Sequence, residues 1–222
     1  MLLDLDGTLI DTVPDLAAAL NRSMDAPGPA RFSLAETASM VGDGVAKLVE
    51  RAYAARGRQA TQANIAAFSA DYLAHVVVDS RPYPGVAETL RRLHAQGWRL
   101  AVCTNKPEAP ARALLAAFGL DGLFAAIGGG DSFPVRKPDP RHMLATLAAA
   151  GGTPAAAVAV GDHANDVAAA RGAGLPCIFA AWGYGAASMA KGAAAVAQGF
   201  AEVPALAKAL LGAGPDANGI TG

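Results

Sequence analysis

The chain has 222 residues, 53% of them apolar and 17% charged, which is ample material for a buried sheet and too little charge for a disordered chain. Lys and Arg number 18 against 19 Asp and Glu, so no net field recruits a polyanion; this argues against nucleic acid as a partner and for a small ligand held by local charge. The length exceeds an ordinary single domain and falls short of two, which points to one sizeable core carrying a smaller insertion.

Met1-Leu2-Leu3 runs straight into Asp4, with no room for the basic start and apolar core of a signal peptide, and no apolar stretch reaches spanning length without Gly, Pro or charge. A cytoplasmic protein with no membrane partner is the expectation. Asp4-Leu5-Asp6-Gly7-Thr8-Leu9 then sets two carboxylates on one side of an extended segment. Carboxylates so close both ionise only if a cation or strong donors compensate, and Mg2+ is an obvious cation for oxygen ligands. Such a pair can divide labour: Asp4 attacks phosphorus, while Asp6 protonates the departing oxygen and later deprotonates water. Taken alone, the same pattern is also that of a turn with solvated carboxylates.

From Val13 to Pro82 the periodicity is helical, with no convincing strand: Leu16, Leu20 and Met24 lie four apart, and Val45, Leu48, Val49 and Ala52 repeat that logic. Pro27-Gly28-Pro29 breaks the first of these helices, and Arg81-Pro82-Tyr83-Pro84-Gly85 reads as the return crossing. Within this stretch Gly42 and Gly44 either let backbone approach a ligand or punctuate two helices. Lys47 or Arg51 could meet a substrate carboxylate, although solvated surface is the plainer reading of both.

Beyond Pro82, short apolar runs alternate with amphipathic segments, the pattern of strand-helix units around a parallel sheet. Strands are predicted over 100–104, 124–128, 157–161 and 176–180, with a weaker one over 194–197. Helices fill 85–96, 107–118, 140–149, 165–173 and 204–211, and a Gly-rich polar tail from Gly212 onward frays. The fold class is therefore α/β: a Rossmann-like parallel sheet core over residues 1–12 and 83–222, and a small all-helical insert over 13–82. Cys103 and Cys177 each sit in an apolar run and read as buried thiols rather than a disulfide.

Three strand ends carry further chemistry. Thr104-Asn105-Lys106-Pro107 puts a hydroxyl and an amide where a strand meets a helix, to grip phosphate oxygens or to cap that helix. Arg136-Lys137-Pro138-Asp139-Pro140 fixes a cation between prolines, suited to neutralising phosphate and carboxylate, where a lone lysine is otherwise solvated surface. Gly161-Asp162-His163-Ala164-Asn165-Asp166 places acids that complete a Mg2+ site or cap the next helix. With Asp4, all lie at or just after the ends of predicted parallel strands, where open sheets place ligands.

Together these residues resemble the four motifs of haloacid dehalogenase superfamily phosphatases. The resemblance implies Asp4 as nucleophile, Asp6 as acid and base, Thr104 and Asn105 as phosphate binders and Lys137 as charge neutraliser. It also implies Mg2+ held by the Asp4 carboxylate, the Asp6 backbone carbonyl and Asp162, with Asp166 supporting the metal or Lys137. Asp11-Thr12-Val13-Pro14-Asp15-Leu16, Val41-Gly42-Asp43-Gly44, Tyr83-Pro84-Gly85-Val86 and Thr104-Asn105-Lys106-Pro107 are more narrowly similar to the phosphoglycolate phosphatases. That likeness implies a small phosphorylated metabolite, 2-phosphoglycolate, as substrate, and a helical cap that closes over it and excludes water.

The chain departs from the family pattern at two places. Only three residues precede Asp4, where the resemblance implies a longer buried first strand, so a truncated or misassigned start, with loss of core packing, is the expectation. His163 stands where the family often has a small hydroxyl residue, and a surface or supporting histidine is expected rather than a metal ligand. A phosphosugar mutase, a pyrophosphatase or another small-phosphoester phosphatase would share the nucleophile, and a non-catalytic phosphate-binding module could share the fold. A dehalogenase would not need Asp6. Monomer and homodimer fit the helical pattern equally.

Overall fold

A computed structural model of the chain describes residues 1–24 and 31–212; the Pro27-Gly28-Pro29 break and the tail beyond Gly212 fall outside them. The chain opens with β1 (Leu2–Leu3), turns through Gly7, and pairs β2 (Ile10–Asp11) antiparallel with β3 (Arg81–Pro82). Of that short ladder only Arg81–Pro82 falls in the Val13 to Pro82 stretch, where no convincing strand is predicted, and it stands at the start of the expected return crossing. Two residues per strand are too few to show an alternating pattern, and Pro82 tolerates the position because the ladder has only one partner strand.

The main sheet adds β4 (Leu100–Cys103), β5 (Phe124–Gly128), β6 (Ala159–Gly161), β7 (Cys177–Ala180) and β8 (Ala195–Ala197) to β1, six parallel strands in the order β5-β4-β1-β6-β7-β8. The register explains the composition of these strands. Leu3 stands beside Val102 and Val160, and Val160 beside Ile178, so branched residues line one face. Leu2, Ala101, Ala159 and Cys177 line the other. Both faces are covered, which is why the strands read as continuous apolar runs. Both cysteines are buried free thiols, as their apolar surroundings imply.

Between β2 and β3 lie α1 (Val13–Ser23), α2 (Leu34–Ala38), α3 (Val45–Ala54) and α4 (Gln62–Ala74). Ser33 with Glu36, and Thr61 with Asn64, close reciprocal caps at the starts of α2 and α4. Leu16 and Leu20 of α1, Leu48 and Val49 of α3, and Phe68 and Tyr72 of α4 are buried in a cluster continuous with the upper face of the sheet. Asp15, on the first turn of α1, is 1% exposed. It accepts N–H bonds from Val78 at 3.0 Å, Asp79 at 2.9 Å and Ser80 at 2.9 Å, and the Ser80 hydroxyl at 2.7 Å. These bonds tie the end of the insert to its beginning. Burial pushes the Asp15 carboxyl up, but the donors outweigh it and hold it below its ordinary range.

The remaining helices cover the sheet. Val86, Leu90 and Leu93 of α5 (Val86–Ala95) and Leu114 and Leu115 of α6 (Glu108–Ala117) join the first cluster. Met143 and Leu147 of α7 (Pro140–Ala149) and Val167 and Ala170 of α8 (Ala164–Gly172) pack on the opposite face. Helix α9 (Val203–Gly212) returns Val203 and Ala207 to the first. Among the described residues, no helix is long and apolar enough to cross a membrane.

Candidate active site

Asp4 leaves the carboxyl end of β1, the central position of the sheet, with β4 on one side and β6 on the other. The ends of those two strands therefore deliver Thr104 and Asp162 beside it. Lys137 comes from the loop after β5 and is 3% exposed. Its ammonium donates to the Cys103 carbonyl and to Asp166 Oδ1, each at 2.6 Å, and lies 2.9 Å from Asp4 Oδ1. A lysine so placed is fixed rather than solvated. Burial alone would lower its pKa, but Asp166 and Asp4 outweigh burial and hold it above the usual lysine range.

Helix α6 does not take its cap from Thr104 or Asn105: the Glu108 N–H donates to Asp131 Oδ1 at 2.8 Å. Thr104 Oγ1 instead accepts the Lys106 N–H at 3.2 Å, and the Asn105 amide donates at 2.9 Å to both the Gly42 and Lys137 carbonyls. At α8 the cap is His163, whose Nδ1 accepts the Asn165 N–H at 3.2 Å while its own N–H donates to Asp166 Oδ2 at 3.0 Å. Asp166 thus serves the helix start with one oxygen and Lys137 with the other. Asp162 caps nothing: it accepts the Thr8 hydroxyl at 2.9 Å and the Tyr184 N–H at 2.8 Å.

Asp4, Asp162 and Asp166 offer carboxylate oxygens that all lie within 4.8 Å of one another. Burial, reinforced by Asp166, pushes the Asp4 carboxyl up against the opposing pull of Lys137. Burial, then the charges of Asp4 and Asp166, push Asp162 up to about 8. A group of buried carboxylates with one lysine among them is short of positive charge, and an all-oxygen donor set suits a hard divalent cation such as Mg2+. The residues present therefore fit a metal. Asp6 points elsewhere: its carboxylate accepts the Thr12 hydroxyl at 2.7 Å and faces the Lys106 ammonium at 3.0 and 3.2 Å.

Asp4, Asp6, Thr104, Asn105 and Lys106 form one wall of a chamber of about 430 Å3, counting the space at its mouth. The insert supplies the opposite wall through Leu16, Val41, Gly42, Gly44, Val45 and Leu48. Gly42 and Gly44 have φ of 123° and 85°, a region that L side chains rarely adopt. Space is tight as well: a Cβ on Gly42 would stand 2.7 Å from the His163 ring, and one on Gly44 3.0 Å from the Asn105 carbonyl. The loop carrying them is seated on the core by Asn105 and by Asn165, whose amide donates to Asp43 Oδ1 at 2.6 Å. Lys47 and Arg51 stay outside the chamber lining, paired with Glu50 and Asp43.

The sequence reading missed Lys106, Tyr72 and Tyr184. Lys106 stands inside Thr104-Asn105-Lys106-Pro107, but nothing in its neighbours announces that its ammonium is buried. The Tyr184 hydroxyl donates to Asp11 Oδ1 at 2.8 Å and accepts the Thr12 N–H at 2.7 Å, which ties the entry to the insert to the loop beside Asp162. Its setting, Trp182-Gly183-Tyr184-Gly185 after a strand end, was the available signal.

Residues 1–174 match the family model of haloacid dehalogenase-like hydrolases. A phosphoglycolate phosphatase of Agrobacterium fabrum is 44% identical over 185 residues, 82% of this chain and 79% of that protein. The crystal structure of a predicted phosphoglycolate phosphatase from Haemophilus somnus superposes with a TM-score of 0.84 at 33% identity, covering 92% of this chain and 96% of that one. A variant of CbbY from Rhodobacter sphaeroides, in complex with xylulose-(1,5)bisphosphate, superposes with a TM-score of 0.77 at 28% identity, covering 90% and 94%.

Proposed function

Because the chain belongs to the haloacid dehalogenase-like hydrolases, we propose that it hydrolyses 2-phosphoglycolate to glycolate and phosphate through an aspartyl-phosphate on Asp4. The observation that carries this reading is the position of Asp4, shared between the buried Lys137–Asp166 pair and a chamber also lined by Asp6, Thr104 and Asn105. The phosphatase relatives support the substrate class.

In the first half-reaction an Asp4 oxygen attacks phosphorus, the phosphorus–oxygen ester bond breaks, and Asp6 gives its proton to the departing glycolate oxygen. In the second, Asp6 takes a proton from water, whose oxygen attacks phosphorus and releases Asp4. Lys137 offsets repulsion between the carboxylate and the phosphoryl group, and the Thr104 hydroxyl and neighbouring backbone donors hold the phosphoryl oxygens. The Asp4 and Asp162 carboxylates, with the Asp6 main-chain carbonyl, would hold Mg2+, while Asp166 holds Lys137. Bound there, Mg2+ supplies charge neutralisation of the phosphoryl oxygens and orientation of the ester. The seated insert keeps bulk water from the ester until attack is complete.

A sugar bisphosphate like that bound to the CbbY variant would bring a second phosphate. The insert side of the chamber presents only apolar residues and glycines, which supports the smaller substrate. The test is phosphate release from 2-phosphoglycolate with added Mg2+. Asp4→Asn is expected to abolish it, and unchanged turnover in that variant rejects the nucleophile assignment.

A further inference from the structure

A substrate that carries a carboxylate beside its phosphate brings a second anion into the chamber, and a buried anion needs a partner. The insert provides none: its contribution to the lining is apolar or glycine, and Lys47 and Arg51 are engaged elsewhere. Of the described residues that line the chamber, Lys106 is the one cation. It is 5% exposed, and its ammonium donates to both Asp6 carboxylate oxygens at 3.0 and 3.2 Å and to the Tyr72 hydroxyl at 2.8 Å, and sits 4.4 Å from the Tyr72 ring centroid.

Tyr72 belongs to α4 of the insert and is 2% exposed, its ring stacked on Phe68 with centroids 6.0 Å apart. The phenol oxygen and the ring face both attract a cation, so Tyr72 holds the ammonium at the border between insert and core. Lysine has three N–H donors; one shared between the two Asp6 oxygens and one to Tyr72 leave a third for a ligand in the chamber.

We propose that Lys106, positioned by Tyr72, is the residue that selects a phosphomonoester bearing a carboxylate on its leaving group, by pairing with that carboxylate. The proposal rests on the phosphatase reading above and adds the origin of its specificity. It also assigns the distal anion to a core residue rather than to the insert. The insert contributes indirectly, since Tyr72 completes the lysine's surroundings only while α4 is seated.

The experiment compares kcat/KM for 2-phosphoglycolate and for 2-hydroxyethyl phosphate, which replaces the carboxylate by a neutral hydroxymethyl group of similar size. The wild-type protein is expected to prefer 2-phosphoglycolate by about 100-fold, a modest value for a site that would otherwise leave a buried charge unpaired. Lys106→Met is expected to bring that ratio to within about 3-fold of unity, mostly through KM for 2-phosphoglycolate, and Lys106→Arg to restore part of it. Tyr72→Phe, which keeps the ring and removes the hydroxyl, is expected to lower the ratio about 10-fold.

A ratio kept in Lys106→Met, with both substrates slowed alike, overturns the proposal and leaves Lys106 as a partner of Asp6 alone. If Lys106→Met fails to fold by circular dichroism, Tyr72→Phe decides, and an unchanged ratio there overturns it. A wild type that hydrolyses both esters equally, with Asp4→Asn inactive on both, also overturns it while the phosphatase reading stands. A wild type inactive on both esters defeats the phosphatase reading itself.

Discussion

The two walls of the chamber are built on opposite principles. The core wall presents Asp4, Asp6 and Lys106, and behind Asp4 stand Lys137, Asp162 and Asp166, a buried cluster at the ends of parallel strands where charge is costly and each group needs its partner. The insert wall is Leu16, Val41, Val45 and Leu48 with glycines between, and Lys47 and Arg22 of the insert face outward in surface pairs. One wall holds chemistry and the other holds shape. The lesson is that an inserted helical unit can define a site without adding a charge to it, provided the core supplies every ion.

If that division is real, breaking a core charge should have the largest effect. Lys137→Met leaves Asp4 and Asp166 facing each other without compensation. Loss of one partner of a buried ion pair costs about 3–5 kcal/mol, and turnover is expected to fall at least ~1000-fold as phosphoryl charge loses its neutraliser. Chemical denaturation and a phosphate-release assay check both parts. A variant with near-native activity would put the neutralising charge elsewhere.

The same cluster should respond to metal. At 100 times the dissociation constant, Mg2+ is expected to stabilise the protein by about 2.7 kcal/mol, which for a chain of this size raises Tm by roughly 5–10 °C. Chelator should reverse the shift, and Asp162→Asn should remove most of it. A Tm indifferent to Mg2+ in the wild type would separate these carboxylates from metal binding.

How much of this was legible depended on the kind of feature. The sheet, its strand ends and the acids and Lys137 on them were readable because both faces are covered, so apolar runs marked the strands and their polar terminators stood out. The ladder of Ile10–Asp11 with Arg81–Pro82 was hidden because pairing between distant two-residue segments has no local pattern. Lys106 and Tyr72 lie 34 positions apart, and the burial that gives them meaning comes from docking the insert on the core. Asp15 stands in a motif that carries the family resemblance, yet its binding of the Val78 to Ser80 backbone is a long-range fact of the same sort.

Asp15 also tests whether the deepest charge among the described residues of the insert is structural. Its folded pKa is held below the ordinary value, so its stabilising contribution is present above the unfolded pKa of about 3.9 and is lost as pH falls through the lower folded value. Asp15→Asn keeps the size but substitutes an amide donor where backbone donors converge. It is expected to cost about 1–3 kcal/mol at pH 7, with much of the difference from wild type gone in strong acid. Equilibrium unfolding at both pH values checks the sign. Equal gaps at pH 7 and in strong acid would show that the charge does not matter.

Shape on the insert wall should matter less for folding than for turnover. Gly42→Ala places a Cβ against the His163 ring at a φ of 123°, so the loop must lift from its seat on Asn105 and Asn165. The expected result is a KM for 2-phosphoglycolate raised about 10-fold with a stability loss near 1 kcal/mol. Gly57, also at positive φ but with open space at its Cβ, is the control: Gly57→Ala should leave KM unchanged.

The smallest effect belongs to the insert's outer surface. Arg22 of α1 donates to both oxygens of Asp71 on α4, at 2.8 to 3.1 Å, an arrangement that looks like a clamp between two helices. Its side chain is 42% exposed, however, so water screens the pair and the two chains lose rotamer freedom to make it. Arg22→Ala is therefore expected to cost less than about 1 kcal/mol and to leave kcat/KM within ~2-fold of wild type. A larger loss of turnover would mean that the seating of α4, and with it Tyr72 over Lys106, depends on a surface ion pair rather than on the buried contacts of Phe68 and Tyr72.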